Sequence, residues 1–343
     1  MRAGVKPADP TTAEIRPRPG DRLAALDLGT NNCRLLVCEV GTDELHAVDS
    51  FSRIVRLGEG LTRHDRLSEA AMARTLAALK VCAKIIARHR CVAVRCVATE
   101  ACRRAVNGPD FLRRVRRVTG LDLELIEREE EARLAMLGCL PLADPDADRL
   151  LVVDIGGGST DLLWLDRRAE PTAGEPGIAL SLPLGVVTLA ETFGREVSPE
   201  SYARMVEHVE DQLRRLDPPR AVEGNGSVEM LGTSGTVTTL AALHIGLRRY
   251  DRRKVDGLVL PFAAIRAVAA QLRALDNATR AAHPCIGQGR ADLVVAGCAI
   301  LDAVHRIWPV ERLTVADRGL REGILAKLMG AKLADALRPR VAA

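Results

Sequence analysis

The sequence predicts an α/β protein made of two similar units with a cleft between them. Three observations carry that expectation. Apolar runs of strand length alternate with longer segments of helical periodicity, as α/β layers require. A strand ending in an acid and a Gly/Ser/Thr turn occurs twice, in DRLAALDLGTNNCRLLVCEV (21–40) and in LLVVDIGGGSTDLLWL (150–165), so Asp154 repeats Asp27 127 residues later. That interval is about one domain, and 343 residues exceed what one typical core holds.

In chain order, residues 1–20 are polar, carry four prolines and read as a disordered tail without the apolar stretch of a signal peptide. Residues 21–40 read as a β-hairpin, and LHAVDSFSRIVRLGEG as short strand-like pieces broken by Gly58 and Gly60. Ser68 is the expected N-cap of a long helix, and CVAVRCVAT (91–99) follows as a buried strand. FLRRVRRVTG reads as a helix with Phe111, Leu112, Val115 and Val118 as its apolar stripe and arginines opposite. DLELIEREEEARLAMLGCL passes from strand to a helix starting near Arg128 or Glu129. After the Asp/Pro-rich break at 141–149 come the second hairpin, a strand and short helix in ALSLPLGVVTLAETFG, and a helix in YARMVEHVEDQLRRL. VEMLGTSGTVTTLAAL is a third strand, glycine loop and helix, and LTVADRGLREGILAKLMGAKL a strand, turn and helix.

Composition narrows the function classes. Hydrophobic content of 47% and charged content of 27% are those of a globular protein, and no apolar run reaches membrane-spanning length. Nine scattered cysteines without a CxxC pair predict free thiols in a reducing cytoplasm. The net charge of +4 conceals six lysines against 43 arginines, an excess that GC-rich codons explain for the most part. With aromatics at 2% and none interleaved among the basic clusters, DNA and other nucleic acids are poor partners.

A glycine turn between two strands is either a tight connection or a place where something approaches the backbone. Successive bare N–H groups form an anion nest, here from Gly29 in one turn and Gly156, Gly157 and Gly158 in the other. Thr30, Asn31, Ser159 and Thr160 add polar side chains, and GTSGT adds Ser234 and Gly235. Asp27 and Asp154 fall at strand ends, where a carboxylate can hold Mg²⁺ beside a phosphate. Two such turns in register favour phosphate binding over a purely structural role.

DLGTNNCRLL and VVDIGGGSTDLLWL resemble the two phosphate motifs of the actin, sugar-kinase and chaperone-ATPase superfamily. Within it they resemble the exopolyphosphatase / guanosine pentaphosphate phosphatase family. ATEACRRAVN (98–107), EEEARLAMLG (129–138), SLPLGVVTLAE (181–191), LGTSGTVTTLAAL and ADRGLREGIL (316–325) match that family in its own order, from residue 22 to about 328. The resemblance implies duplicated actin-like ATPase (ribonuclease H-like) domains, an N-terminal one over 21–130 and a C-terminal one over 131–324, with helix 325–343 packing back on the first. It also implies Mg²⁺ as cofactor, and relatives often form homodimers.

The family's catalytic glutamate falls on Glu131 and its phosphate-facing arginine on Arg103, with the neighbouring Arg104 facing solvent. Glu131 would take a proton from water attacking the terminal phosphorus. Glu127-Arg128 stand where the family commonly has Ser-Gly. Asp161 stands where it has Glu, one methylene shorter, so Asp161 is expected to join Asp154 at the metal through a water. Longer relatives continue into a helical domain, whose absence here would weaken processive digestion of long chains. The expected activity is release of terminal phosphate from inorganic polyphosphate. The alternatives are 5′-phosphate hydrolysis of guanosine pentaphosphate, which would tie the protein to the stringent response, a kinase or ATPase on the same scaffold, and a non-catalytic phosphonucleotide sensor.

Overall fold

The protein is described by a computed structural model over residues 17–42, 44–167, 177–194, 197–216 and 227–330. The first sheet contains β1 (Arg22–Leu28), β2 (Asn32–Val40), β3 (Leu45–Ile54), β4 (Ala93–Ala98) and β5 (Leu123–Leu125), in the order β3-β2-β1-β4-β5. β1, β2 and β3 form an antiparallel meander, while β4 and β5 add parallel to β1. The second sheet contains β6 (Arg149–Ile155), β7 (Thr160–Asp166), β8 (Ile178–Leu182), β9 (Val228–Thr233), β10 (Val259–Pro261) and β11 (Arg312–Ala316), in the order β10-β11-β9-β6-β7-β8. Again three strands are antiparallel, β6 to β8, and β9 and β11 extend the sheet in parallel. The halves are thus duplicated actin-like, ribonuclease H-like domains.

Both central strands are buried on two faces, which is why they read as continuous apolar runs. Ala24, Leu26 and Leu28 of β1 pack towards helices Glu69–His89 and Gly108–Thr119, and Leu23 and Ala25 towards the other half. Ser68 caps Glu69–His89 by accepting from Ala71 N at 3.2 Å. Helix Leu320–Leu328 returns to the first sheet, burying Leu320, Ile324 and Leu325 against Leu23, Leu36 and Val97. Helix Arg128–Cys139 crosses it and buries Met136 and Cys139 against the second sheet. A Cβ at Gly323 would lie 1.8 Å from the Leu134 carbonyl oxygen, and one at Gly138 2.0 Å from that of Gly319, so the crossing requires glycine.

Three local expectations change. β3 is one ten-residue strand, because pairing with β2 from Asn32↔Ile54 to Val40↔Leu45 overrides its polar pattern. Val118 is 41% exposed, since helix Gly108–Thr119 buries only the narrower side carrying Phe111 and Val115. The packing-back expected of 325–343 starts at Leu320, and residues 331–343, like most of the 1–20 tail, lie outside the described residues. All nine cysteines are free thiols, and no described helix is long and apolar enough to cross a membrane.

Candidate active site

The β1–β2 and β6–β7 hairpins meet at one cavity of about 490 Å³ between the two halves. Their sequences align residue for residue: Asp27 pairs across its hairpin with Arg34, and Asp154 pairs across its own with Asp161. The glycines let these loops touch. A Cβ at Gly158 would sit 2.5 Å from Thr30 Oγ1, and one at Gly157 3.1 Å from the Asn31 backbone nitrogen. The group that approaches the second glycine turn is therefore the first turn itself. Among the described residues no acceptor takes the amides of Thr30, Asn31, Gly157 or Gly158, all of which line the cavity. The buried Asn31 Oδ1 has no partner either.

Acidic groups crowd this junction. Asp27 and Asp154 open onto the cavity but are walled by protein elsewhere, and burial raises both. Burial, then repulsion from Asp161, brings Asp154 to about 7. Burial brings Asp161 to about 6, against hydrogen bonds from Ser181 Oγ at 2.5 Å and Ser159 Oγ at 3.0 Å. None of Asp27, Asp154 and Asp161 has an ion-pair partner among the described residues, though the charge of Arg34 lowers both Asp27 and Asp154 and that of Arg103 lowers Asp161.

Glu131 reaches the cavity from the first turn of helix Arg128–Cys139. Its carboxyl is pushed well above the ordinary range by burial and by Asp161, against the pull of Arg103. Arg103, on the short helix Glu100–Arg104, donates to Glu131 at 2.8 Å, to Glu100 at 3.1 Å and to the Ile126 carbonyl at 2.7 Å. Arg104 is the more exposed of the pair, its nearest carboxylate Asp65 at 3.8 Å. Arg128 leaves the helix start intact and joins the network, donating to the buried Glu100 at 3.0 and 3.1 Å.

Beside the acids the cavity has a cationic wall. Arg34, Arg290 and Arg321 line the cavity, and burial lowers the pKa of both Arg290 and Arg321, with Arg34 adding like-charge repulsion to each. Among the described residues no carboxylate lies within ion-pair distance of Arg34 or Arg290. Guanidinium groups held this way favour an anion between them. Ser234 opens helix Ser234–His244 at φ 87°, and its buried hydroxyl lacks a partner.

Of the residues singled out by sequence, Asp27, Gly29, Thr30, Asn31, Glu131, Asp154, Gly156, Gly157, Gly158, Ser159, Ser234 and Gly235 all line this cavity. Three do not. Thr160 is fully buried and its hydroxyl donates to the Leu184 carbonyl at 2.8 Å, so it braces the hairpin instead of meeting phosphate. Asp161 lies beneath the wall, 5% exposed. Arg103 sits behind Glu131, its donors spent on protein acceptors. Sequence reasoning missed Arg34, Tyr250, Arg290 and Arg321. Arg34 was accessible, since it holds the offset from Asp27 that Asp161 holds from Asp154; the others come from separate elements with no shared spacing.

A family model described as the Ppx/GppA phosphatase family matches residues 36–332. Exopolyphosphatase 2 of Mycobacterium tuberculosis is 32% identical over 327 residues, covering 90% of this chain and 99% of that protein. The crystal structure of the Aquifex aeolicus Ppx/GppA family member is similar at a TM-score of 0.73 and 32% identity, covering 90% of this chain and 97% of that one. The crystal structure of an exopolyphosphatase from Cytophaga hutchinsonii reaches a TM-score of 0.80 at 26% identity, covering 91% and 99%.

Proposed function

Because the chain belongs to the Ppx/GppA phosphatase family and is a phosphoanhydride hydrolase, we propose that it is an exopolyphosphatase that removes the terminal phosphate of inorganic polyphosphate. The observation that carries this reading is the meeting of two glycine loops with unpaired amides at one cavity, with Glu131 on its wall. Relatives named exopolyphosphatases at 32% and 26% identity support the choice of substrate.

In this reading the terminal phosphate accepts from the amides of Thr30, Asn31, Gly157 and Gly158, and from the Thr30 hydroxyl. Glu131 takes the proton of the attacking water, a task its raised pKa suits. Arg103 acts through Glu131, fixing the carboxylate's direction. The inner phosphates lie against Arg34, Arg290 and Arg321, which offset the charge of the leaving chain.

The residues present fit a magnesium ion. Asp154 and Asp161 share a face of one hairpin, offer only oxygen, and make no ion pair among the described residues. Among the described residues no group of three or more His, Cys, Asp or Glu could hold a metal, so water and phosphate would supply the remaining ligands, as Mg²⁺ prefers. Asp154 would hold the ion, with Asp161 acting through water, and when bound the ion neutralises phosphate charge.

Tyr250, an aromatic ring on the cavity wall, favours a second reading as a guanosine pentaphosphate 5′-phosphohydrolase. Competition between polyphosphate and guanosine pentaphosphate tests the choice. A kcat/KM at least tenfold higher for polyphosphate is expected; the reverse order selects the nucleotide.

A further inference from the structure

The loop after β3 binds both halves of the cavity at once. Val55 N and Arg56 N donate to the Asn31 carbonyl at 2.8 and 3.0 Å, and Gly58 N donates to the Thr30 carbonyl at 2.9 Å, so this loop backs the first phosphate turn. Arg74 braces it from behind through the Val55 carbonyl at 3.1 Å and Glu59 at 2.9 Å. From the same loop the Arg56 side chain crosses to the other half. Its Nη2 donates to Asp292 Oδ1 at 3.0 Å and to the Gly289 carbonyl at 3.3 Å, and its Nη1 to Asp292 Oδ2 at 3.2 Å. Asp292 stands two residues beyond Arg290 of the cationic wall, at the foot of helix Val294–Ile307.

Several features mark this contact as built. The Asp292 side chain is 6% exposed, so its charge depends on partners. The guanidinium fork meets both carboxylate oxygens, the strong form of such a pair. Arg56 holds φ 46°, a conformation a non-glycine residue keeps only where its surroundings impose it. A Cβ at Gly289 would lie 2.3 Å from Ile54 Cδ1, so the two halves are in close contact beside the pair. A second bond, Gly60 N to Glu191 Oε1 at 2.8 Å, crosses the same side. Two further links between the halves, the touching glycine turns and the crossing of helices Arg128–Cys139 and Leu320–Leu328, engage other elements.

We propose that Arg56 and Asp292 are a positioning pair: they touch no substrate, and they hold the first phosphate loop and the arginine wall at the separation where both reach one polyphosphate end. This rests on the polyphosphate reading above for its assay, though not for its geometry. Without the pair the protein spends more time open, and the substrate must supply the closing energy. Apparent affinity then falls by the fraction of closed molecules, while turnover of saturated enzyme is retained.

The test is a double-mutant cycle on the full chain with Arg56→Met, Asp292→Asn and the two together, assayed with polyphosphate and Mg²⁺. Each single change is expected to raise KM about tenfold and to leave kcat within about twofold, with the double variant no worse than the worse single. A merely structural role would instead lower kcat through loss of active protein at constant KM, and that result overturns the proposal. So does a double variant whose effects multiply. Should Arg56→Met fail to fold, Arg56→Lys keeps the charge and loses only the fork, with a KM rise of about threefold. Small-angle scattering on substrate-free protein reads the cleft without turnover. A larger radius of gyration in the variants supports the pair and an unchanged one overturns it, even if polyphosphate proves not to be the substrate.

Discussion

Arg103 Nη2 lies 2.8 Å from the Glu131 carboxylate, and the same guanidinium is fixed by Glu100 and by the Ile126 carbonyl. A carboxylate bound on one side by a rigid fork keeps a single direction, and Glu131 needs one to aim at water over the phosphate loops. Lysine at position 103 could not make these contacts together. Arg103→Lys should lower kcat about 10²-fold with KM changed less than about threefold. Steady-state kinetics checks this, and a loss confined to KM would contradict the orienting role.

The carboxylate pair Asp154 and Asp161 gives a pH signature. Burial raises both, to about 7 and about 6 from the ordinary 3.8. An acid whose pKa is raised by folding stabilises while protonated and loses that contribution as pH climbs through the folded value. The melting temperature of metal-free protein should therefore fall as pH rises from about 4 to about 7, and the double change Asp154→Asn/Asp161→Asn should flatten the slope. Added Mg²⁺ should raise the melting temperature more at pH 8 than at pH 5, since only ionised carboxylates bind it. Equal shifts at both values, read by calorimetry, would count against the metal assignment.

Gly323 meets the Leu134 carbonyl where the two connecting helices cross. Backbone cannot yield there as a side-chain tip could. Gly323→Ala should destabilise the protein by about 1–3 kcal/mol, visible as a lower urea midpoint. An unchanged midpoint would mean that the helices slide freely.

Arg290 shares the cavity with Arg34 and has no carboxylate partner among the described residues. Arg290→Gln should raise KM for polyphosphate about tenfold and weaken the dependence of KM on salt, because one fewer ionic contact to the polyanion remains to be screened. If KM and its salt dependence matched the parent, the inner phosphates would lie elsewhere.

Much of this site could be read in the sequence because its parts are local. Each hairpin spells out its acid, its glycines and its cross-strand partner within eight residues, Asp27 to Arg34 and Asp154 to Asp161. Strand alternation explains the misplacement of Thr160: sharing a hairpin face with Asp154 is the property of Asp161, and the preceding residue points the other way. The choice of Arg103 and Glu131 followed from family resemblance and not from spacing, and nothing local said that Arg103 would stand behind the glutamate instead of facing phosphate. The arginine wall and the Arg56–Asp292 contact were illegible for a different reason. They join residues far apart in the chain, in a protein where arginine is so common that no single one draws notice.

The central claim is that Glu131 activates water against a polyphosphate end held by the paired loops. Phosphate release from polyphosphate with Mg²⁺, measured for the parent and for Glu131→Gln beside a binding assay, tests it most directly. The account predicts turnover reduced about 10³-fold with substrate affinity within about threefold of the parent. Undiminished release by Glu131→Gln would contradict it.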